Sequence, residues 1–168
     1  MSLKAQDLTG QIARVTGASR GIGRAIAEGL HNTGAHVIAC ARPSADLAAL
    51  GDIFGDNGDI WEGDATSDAF LQRIRNLKSL DILVNNIGIN RPEPFVDVSD
   101  ENLDAMVDIN IRATFRIARE GVKRMSNGGR VVNITSQMGH VGSPERTVYC
   151  MAKHAIEGLT KAMAVELA

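Results

Sequence analysis

Three observations predict an α/β protein built on a doubly wound parallel sheet. Short apolar runs rich in β-branched residues alternate with amphipathic stretches of helical length. The runs are mostly continuous rather than alternating in and out, as strands covered on both faces should be. The first run leads straight into a glycine-rich turn and then a helix, which is how a parallel β-α-β unit begins.

In chain order, five strands are read from "QIARVTG" at 11–17, "AHVIACA" at 35–41, "DIWEGD" at 59–64, "LDILVNN" at 80–86 and "RVVNITS" at 130–136. Between the first two, residues 21–34 set Ile22, Ala25, Ile26 and Leu30 at helical spacing, with Gly34 as the stop. Two shorter helices fill 44–56 and 67–77, the second opening on Ser67 as its cap. One long helix is predicted over 99–126, entered at Ser99 and closed by Gly128–Gly129. The last helix starts near Arg146 and is still running at Ala168. No linker or repeat divides the chain, so residues 1–168 read as a single domain.

Composition narrows the function. With 168 residues, 44% of them apolar, the chain can bury one respectable core. A net charge of −2 with both signs scattered supplies no basic stripe, which argues against nucleic acid as a partner. No apolar run is long enough for a membrane span, and the opening "MSLKAQDLTG" has no hydrophobic leader. Cys40 and Cys150 lack metal-like spacing, and His31, His36 and His154 are scattered, so no metal site is expected. A reduced, cytoplasmic setting fits best. Aromatics are scarce at 4% while glycine is plentiful at 17, which suits close backbone approach to a ligand.

That approach is expected at "TGASRGIG", Thr16 to Gly23. Glycines at 17, 21 and 23 allow a tight turn against a pyrophosphate, and the helix that follows offers free amides with partial positive charge. An ordinary strand-to-helix turn is the plainer alternative. The strand before and the helix after favour a dinucleotide. In such a fold a carboxylate ending the second strand would bind the ribose 2′-OH, whereas arginine suits a 2′-phosphate. The second strand ends on Ala41 and Arg42, and Arg20 adds a cation from the turn, so NADP(H) is favoured over NAD(H), with a merely solvated loop charge as the alternative for Arg42.

Tyr149 and Lys153 stand four residues apart in the last helix, hence on one face. An ammonium near a phenol favours the phenolate, giving a general acid/base for neutral pH. By itself the pair is more often a packed tyrosine beside a snorkelling lysine. Ser136 strengthens the functional reading, because it closes a strand at the carboxyl edge where open α/β sheets bind ligands. Asn110 is a polar residue among apolar helix neighbours, either bonded to its own backbone or holding a relay water near Lys153.

These motifs, with "NNIG" at 85–88, resemble in order and spacing the short-chain dehydrogenase/reductase family, from about Asp7 onward. Among its members, 3-oxoacyl-carrier-protein reductases and sugar or polyol dehydrogenases are most similar. The resemblance implies a Rossmann-like sheet and reversible hydride transfer between nicotinamide and an alcohol or carbonyl carbon of a small-molecule substrate. It makes Tyr149 the acid/base, has Lys153 bind the nicotinamide ribose beside Tyr149, gives Ser136 the substrate oxygen, and gives Asn110 the relay water. Gly17, Ser19, Arg20, Gly21 and Gly23 would bind the cofactor at the glycine turn, and Ile22 would back it from there. Arg42, Asp64, Ala65, Asn86 and Gly88 would line its adenosine half. A homodimer or homotetramer is also implied, with subunit contacts on helix 99–126 and on Ala155, Leu159 and Met163.

Two departures stand out. Arg14 occupies the first strand where the family pattern has an apolar residue, and an unpaired guanidinium buried there should cost several kcal/mol unless a carboxylate reaches it. The family usually runs to about 250 residues with seven strands, of which five are read here. The expectation is therefore weak cofactor binding and little turnover from this chain, and an exposed edge at "RVVNIT". A non-catalytic nucleotide-binding or assembly module is the alternative function. Gln137, His140 and Arg91 are further substrate-contact candidates, with a solvated loop residue as the equal alternative for each. A hydrolase pairing of Ser136 with His140 is rejected, because no Gly-x-Ser-x-Gly elbow is present.

Overall fold

The computed structural model describes residues 6–126 and 128–168. The leader expectation therefore falls partly, at residues 1–5, outside the described residues. The five apolar runs form β1 (Ile12–Thr16), β2 (His36–Ala41), β3 (Gly58–Glu62), β4 (Ile82–Asn85) and β5 (Arg130–Asn133). All neighbours are parallel, in the order β3-β2-β1-β4-β5. The chain thus winds outward from β1, returns, and winds outward the other way. The reversal between β1 and β4 opens a crevice at the carboxyl ends of these strands.

Helices cover both faces. α1 (Gly21–Asn32) and α2 (Ala45–Phe54) lie on one side, where Ala27, Leu47, Leu50 and Phe54 pack with Ala13, Val15, Val37 and Val84. α3 (Asp68–Arg75) and α5 (Thr114–Val122) lie on the other, where Phe70, Leu71, Ile74 and Ile117 pack with Ile38, Cys40 and Leu83. The predicted caps are present: Ser67 Oγ accepts from the Phe70 amide at 3.2 Å, and Ser99 Oγ accepts from the Asn102 amide at 3.2 Å. After α1 the chain reverses through Gly34, whose φ of +94° suits glycine.

Four expectations need correction. The single helix over 99–126 is divided into α4 (Asp100–Val107), a π-helical turn (Asp108–Ala113) and α5, which ends at Val122. The wide turn accommodates Asn110, which points sideways into the protein and is 1% exposed. Such a widening leaves hydrophobic spacing almost unchanged and is invisible in the sequence. Ile22 does not belong to the buried face of α1. It is 63% exposed, and the buried residues of α1 are Gly23 and Ala27. The last helix, α6, spans Thr147–Glu166 and stops short of Ala168. Strand β5 ends at Asn133, so Ser136 lies three residues beyond it, capping a 3-10 turn at Gln137–Gly139.

Arg14 is fully buried, as the strand position demanded, and none of its three side-chain nitrogens has a hydrogen-bond partner. Among the described residues no carboxylate reaches it. Two aromatic rings do: its guanidinium carbon lies 4.7 Å from the Phe70 centroid and 5.4 Å from that of Trp61. β5 is a sheet edge with Val132 46% exposed. Among the described residues no helix is long and apolar enough to cross a membrane.

Candidate functional site

A cleft of about 1060 Å³ lies over the carboxyl ends of β1, β2, β3 and β4. Its floor is the turn after β1. There Gly17 and Gly21 take φ of +66° and +57°, and α1 begins without any side-chain cap. The first amides of α1 are therefore free for an anion, and the exposed Ile22 stands beside them.

Gly23 has a different part. A Cβ on it would lie 2.2 Å from the Gly17 carbonyl oxygen and 2.4 Å from Asn86 Nδ2, so it lets α1 pack directly on the turn. The Asn86 amide completes that packing, its Nδ2 donating to the carbonyls of Thr16 at 3.2 Å and Gly17 at 3.1 Å. Thr16 Oγ1 in turn accepts from the backbone amides of Asn86 (2.9 Å) and Ile87 (3.3 Å). The β1 and β4 ends are thereby tied into one rigid edge.

Of the expected cofactor residues, Gly17, Ser19, Arg20, Gly21, Ile22, Arg42, Asp64, Ala65, Asn86 and Gly88 all line the cleft, and Gly23 supports it from behind. Arg20 and Arg42 are exposed and have no ion-pair partner among the described residues. Asp64 directs Oδ1 to the Thr66 amide (2.9 Å) and hydroxyl (2.8 Å), a local turn that fixes the carboxylate at the rim. Cys40, Ser44, Asp46, Thr66 and Phe70 also line this end but were not read from the sequence. The carboxyl-edge rule could have pointed to Cys40, the penultimate residue of β2. Nothing local marks Phe70, which arrives from α3. The cleft fits an extended dinucleotide in three respects: its volume, uncapped amides at the glycine turn, and unpaired guanidiniums at one end.

The proton-handling candidates gather at the other end, outside the cleft lining and next to Gly88. A Cβ on Gly88 would lie 3.1 Å from Asn110 Oδ1 and 3.7 Å from Lys153 Nζ. Asn110 makes a two-point clamp on Ile89, accepting from its amide at 2.8 Å and donating to its carbonyl at 2.9 Å. It is thus bonded to a neighbouring segment, not to its own backbone. Lys153 is 6% exposed, donates to the Ile134 carbonyl at 2.9 Å and lies 5.6 Å from the centre of the Tyr149 ring. Burial pulls the Lys153 ammonium below the usual lysine range.

Tyr149 and Ser136 are half-buried. Ser136 Oγ accepts from the Met138 amide at 3.2 Å, and the turn it caps packs on α6, with Gly139 against the Lys153 carbonyl. Residues 134–139 therefore hold the end of β5 to the helical turn carrying Lys153. Arg91 lines the cleft and donates to Asn102 Oδ1 at 2.6 Å, whereas Gln137 and His140 are exposed away from it. His140 instead faces Glu157 on α6 at 3.4 Å.

Comparisons with known proteins give the family and the fold of its relatives. The family model described as short chain dehydrogenase matches residues 11–168. A 3-oxoacyl-acyl-carrier-protein reductase of Rickettsia bellii is 40% identical over 165 residues, covering 96% of this chain and 68% of that protein. Nodulation protein G of a Rhizobium species is 37% identical over 169 residues, covering 96% of this chain and 69% of that protein. Among solved structures, a short-chain dehydrogenase/reductase of Serratia marcescens superposes with a TM-score of 0.90 at 34% identity. It covers 96% of this chain and 70% of its own.

Proposed function

This chain belongs to the short-chain dehydrogenase family, and on that premise we propose that it interconverts a ketone and a secondary alcohol using NADP(H). When bound in the cleft, the nicotinamide supplies or accepts the hydride. The protein's own part is to hold that cofactor and to move a proton.

Tyr149 gives its phenolic hydrogen to the substrate oxygen in reduction and takes it back in oxidation. Lys153, one helical turn away, favours the phenolate and offers its remaining N–H donors to a ribose hydroxyl. Ser136 orients the substrate oxygen, and Asn110 holds Ile89 in place next to Gly88, where Lys153 meets the cleft wall. One observation carries the reading: Lys153 Nζ lies within 5.6 Å of the Tyr149 ring centre and beside Gly88 of the cleft wall. A mere binding module has no need of a buried ammonium joining a tyrosine to the nucleotide groove.

Arg20 and Arg42 supply the preference for the cofactor with a 2′-phosphate. The name of the Rickettsia relative makes a 3-oxoacyl thioester the first substrate to try, with polyols and simple ketones after it. Dimers or tetramers are expected in sedimentation, joined through α4, α5 and the outer positions of α6. The deciding experiment combines NADPH and NADH titrations with a carbonyl panel on the purified protein. NADPH binding with substrate-dependent NADPH oxidation supports the reading. Binding without turnover on any carbonyl leaves only a nucleotide-binding module, and a clear NADH preference removes the cofactor assignment.

A further inference from the structure

Arg14 plays no part in the reaction described above, yet it is the most anomalous residue in the fold. Its guanidinium is held between two rings, Trp61 and Phe70, and Trp61 carries a second guanidinium, Arg73, 4.2 Å from its centre. Phe70 is also part of the cleft wall, as is Cys40, which follows Arg14's sheet partner Ile38 by two residues on β2. A single aromatic ring thus separates a buried, unpaired positive charge from the adenosine end of the groove. Both Phe70 and Cys40 stand among Ala41, Arg42, Asp64 and Ala65 in that wall.

The charge is not cancelled by an ion pair. No carboxylate pairs with Arg14 among the described residues, and burial pushes the neighbouring Cys40 thiol up against the opposing pull of Arg14 and Arg73. Among the residues lining this end, Asp46 and Asp64 supply two carboxylates and Arg20 and Arg42 two guanidiniums, with no ion pair joining them among the described residues. The lining charges balance at this end, and behind them Arg14, with Arg73 on the same Trp61 ring, adds positive charge. Because it is buried, its field is screened by salt far less than that of the exposed arginines.

We propose that Arg14 is a specificity-determining residue which, through the Phe70 ring, supplies a salt-resistant share of the preference for a 2′-phosphorylated adenosine. The proposal rests on the NADP(H) reading above. For a separation taken on the order of 10 Å and an effective dielectric near 20, one such charge is worth roughly tenfold or somewhat more in affinity for a phosphate. The shared pyrophosphate, held at the glycine turn, feels it less.

Calorimetric binding of 2′,5′-ADP and 5′-AMP to the full chain, at low salt and at about 0.5 M salt, tests this without any turnover. In the wild type the ratio of the two affinities should fall with salt to a plateau that still favours 2′,5′-ADP. Arg14→Met should lower that plateau about five- to tenfold, Arg14→Lys should restore it to within about twofold, and Arg42→Ala should remove chiefly the salt-sensitive part. An unchanged plateau in Arg14→Met, an equal loss in Arg14→Lys, or a wild-type preference that vanishes at high salt overturns the proposal. The last outcome needs no variant to fold. A wild type with no preference for 2′,5′-ADP even at low salt overturns the NADP(H) reading as well, which separates the two failures.

Discussion

At the scale of single residues, Tyr149, Lys153 and Arg14 carry the sharpest expectations. Tyr149→Phe should lower turnover at least about a hundredfold while leaving NADPH affinity nearly unchanged, because only the proton donor is removed. Steady-state kinetics with fluorescence titration checks it, and full activity in the phenylalanine variant sinks the acid/base role. Lys153→Met should damage both, since Lys153 sits between the tyrosine ring and the cleft wall. Arg14 is a matter of stability as well as selectivity. Its two cation–π contacts return part of the desolvation cost, but no ion pair returns the rest. Arg14→Leu should therefore stabilise the fold by about 1–3 kcal/mol, read as a rise of several degrees in Tm. A lower Tm in the leucine variant means that the rings compensate the charge fully. Sequence alone named all three residues, but not the rings around Arg14, which come from β3 and α3.

At the scale of elements, the glycine turn and the α3–α5 contact are the two joints on which the cleft depends. Gly23→Ala inserts a methyl where 2.2 Å separates it from the Gly17 oxygen, so α1 must lift off the turn. A loss of about 1–3 kcal/mol in stability, together with loss of nucleotide binding, is expected from denaturation and titration. Between α3 and α5, the Glu120 carboxylate is 3% exposed and faces Arg75, Arg119 and Lys123. Burial pushes its carboxyl up, but the hydrogen bonds from Arg75, Lys123 and Arg119 and the Lys123 charge outweigh that and hold it at about 2. Its folded value is depressed, so its stabilisation is complete above the unfolded value of 4.5 and lost as pH falls toward 2. Glu120→Gln should cost about 1–2 kcal/mol at pH 7, the partners being largely solvated, and the gap from wild type should close between about pH 5 and 2. A gap independent of pH would falsify the ionic account. The caps at Ser67 and Ser99 were legible because capping is a local bond. The π turn at 108–113 was not, since its cause is the Asn110 clamp on Ile89, 21 positions away.

At the scale of the whole molecule, the cleft works as one electrostatic object, with free helix amides at its floor, exposed arginines at one end and a buried ammonium at the other. Total NADPH affinity should therefore fall steeply with ionic strength, while turnover of bound enzyme changes little, as salt-dependent kcat/KM and kcat would register. Equal salt sensitivity of both would place the important charges at the proton-transfer end. The sequence by itself determined the five parallel strands, the glycine turn and the order of Asn110, Ser136, Tyr149 and Lys153, because strand, cap and turn preferences act over a few residues. Only the tertiary structure decided that Asn86 and Thr16 lock the turn, and that Cys40 and Phe70 complete its wall. It also decided that Arg14 lies between two rings instead of meeting a carboxylate. Those relations join residues far apart in the chain, and they exist only once the sheet has set which helix covers which strand.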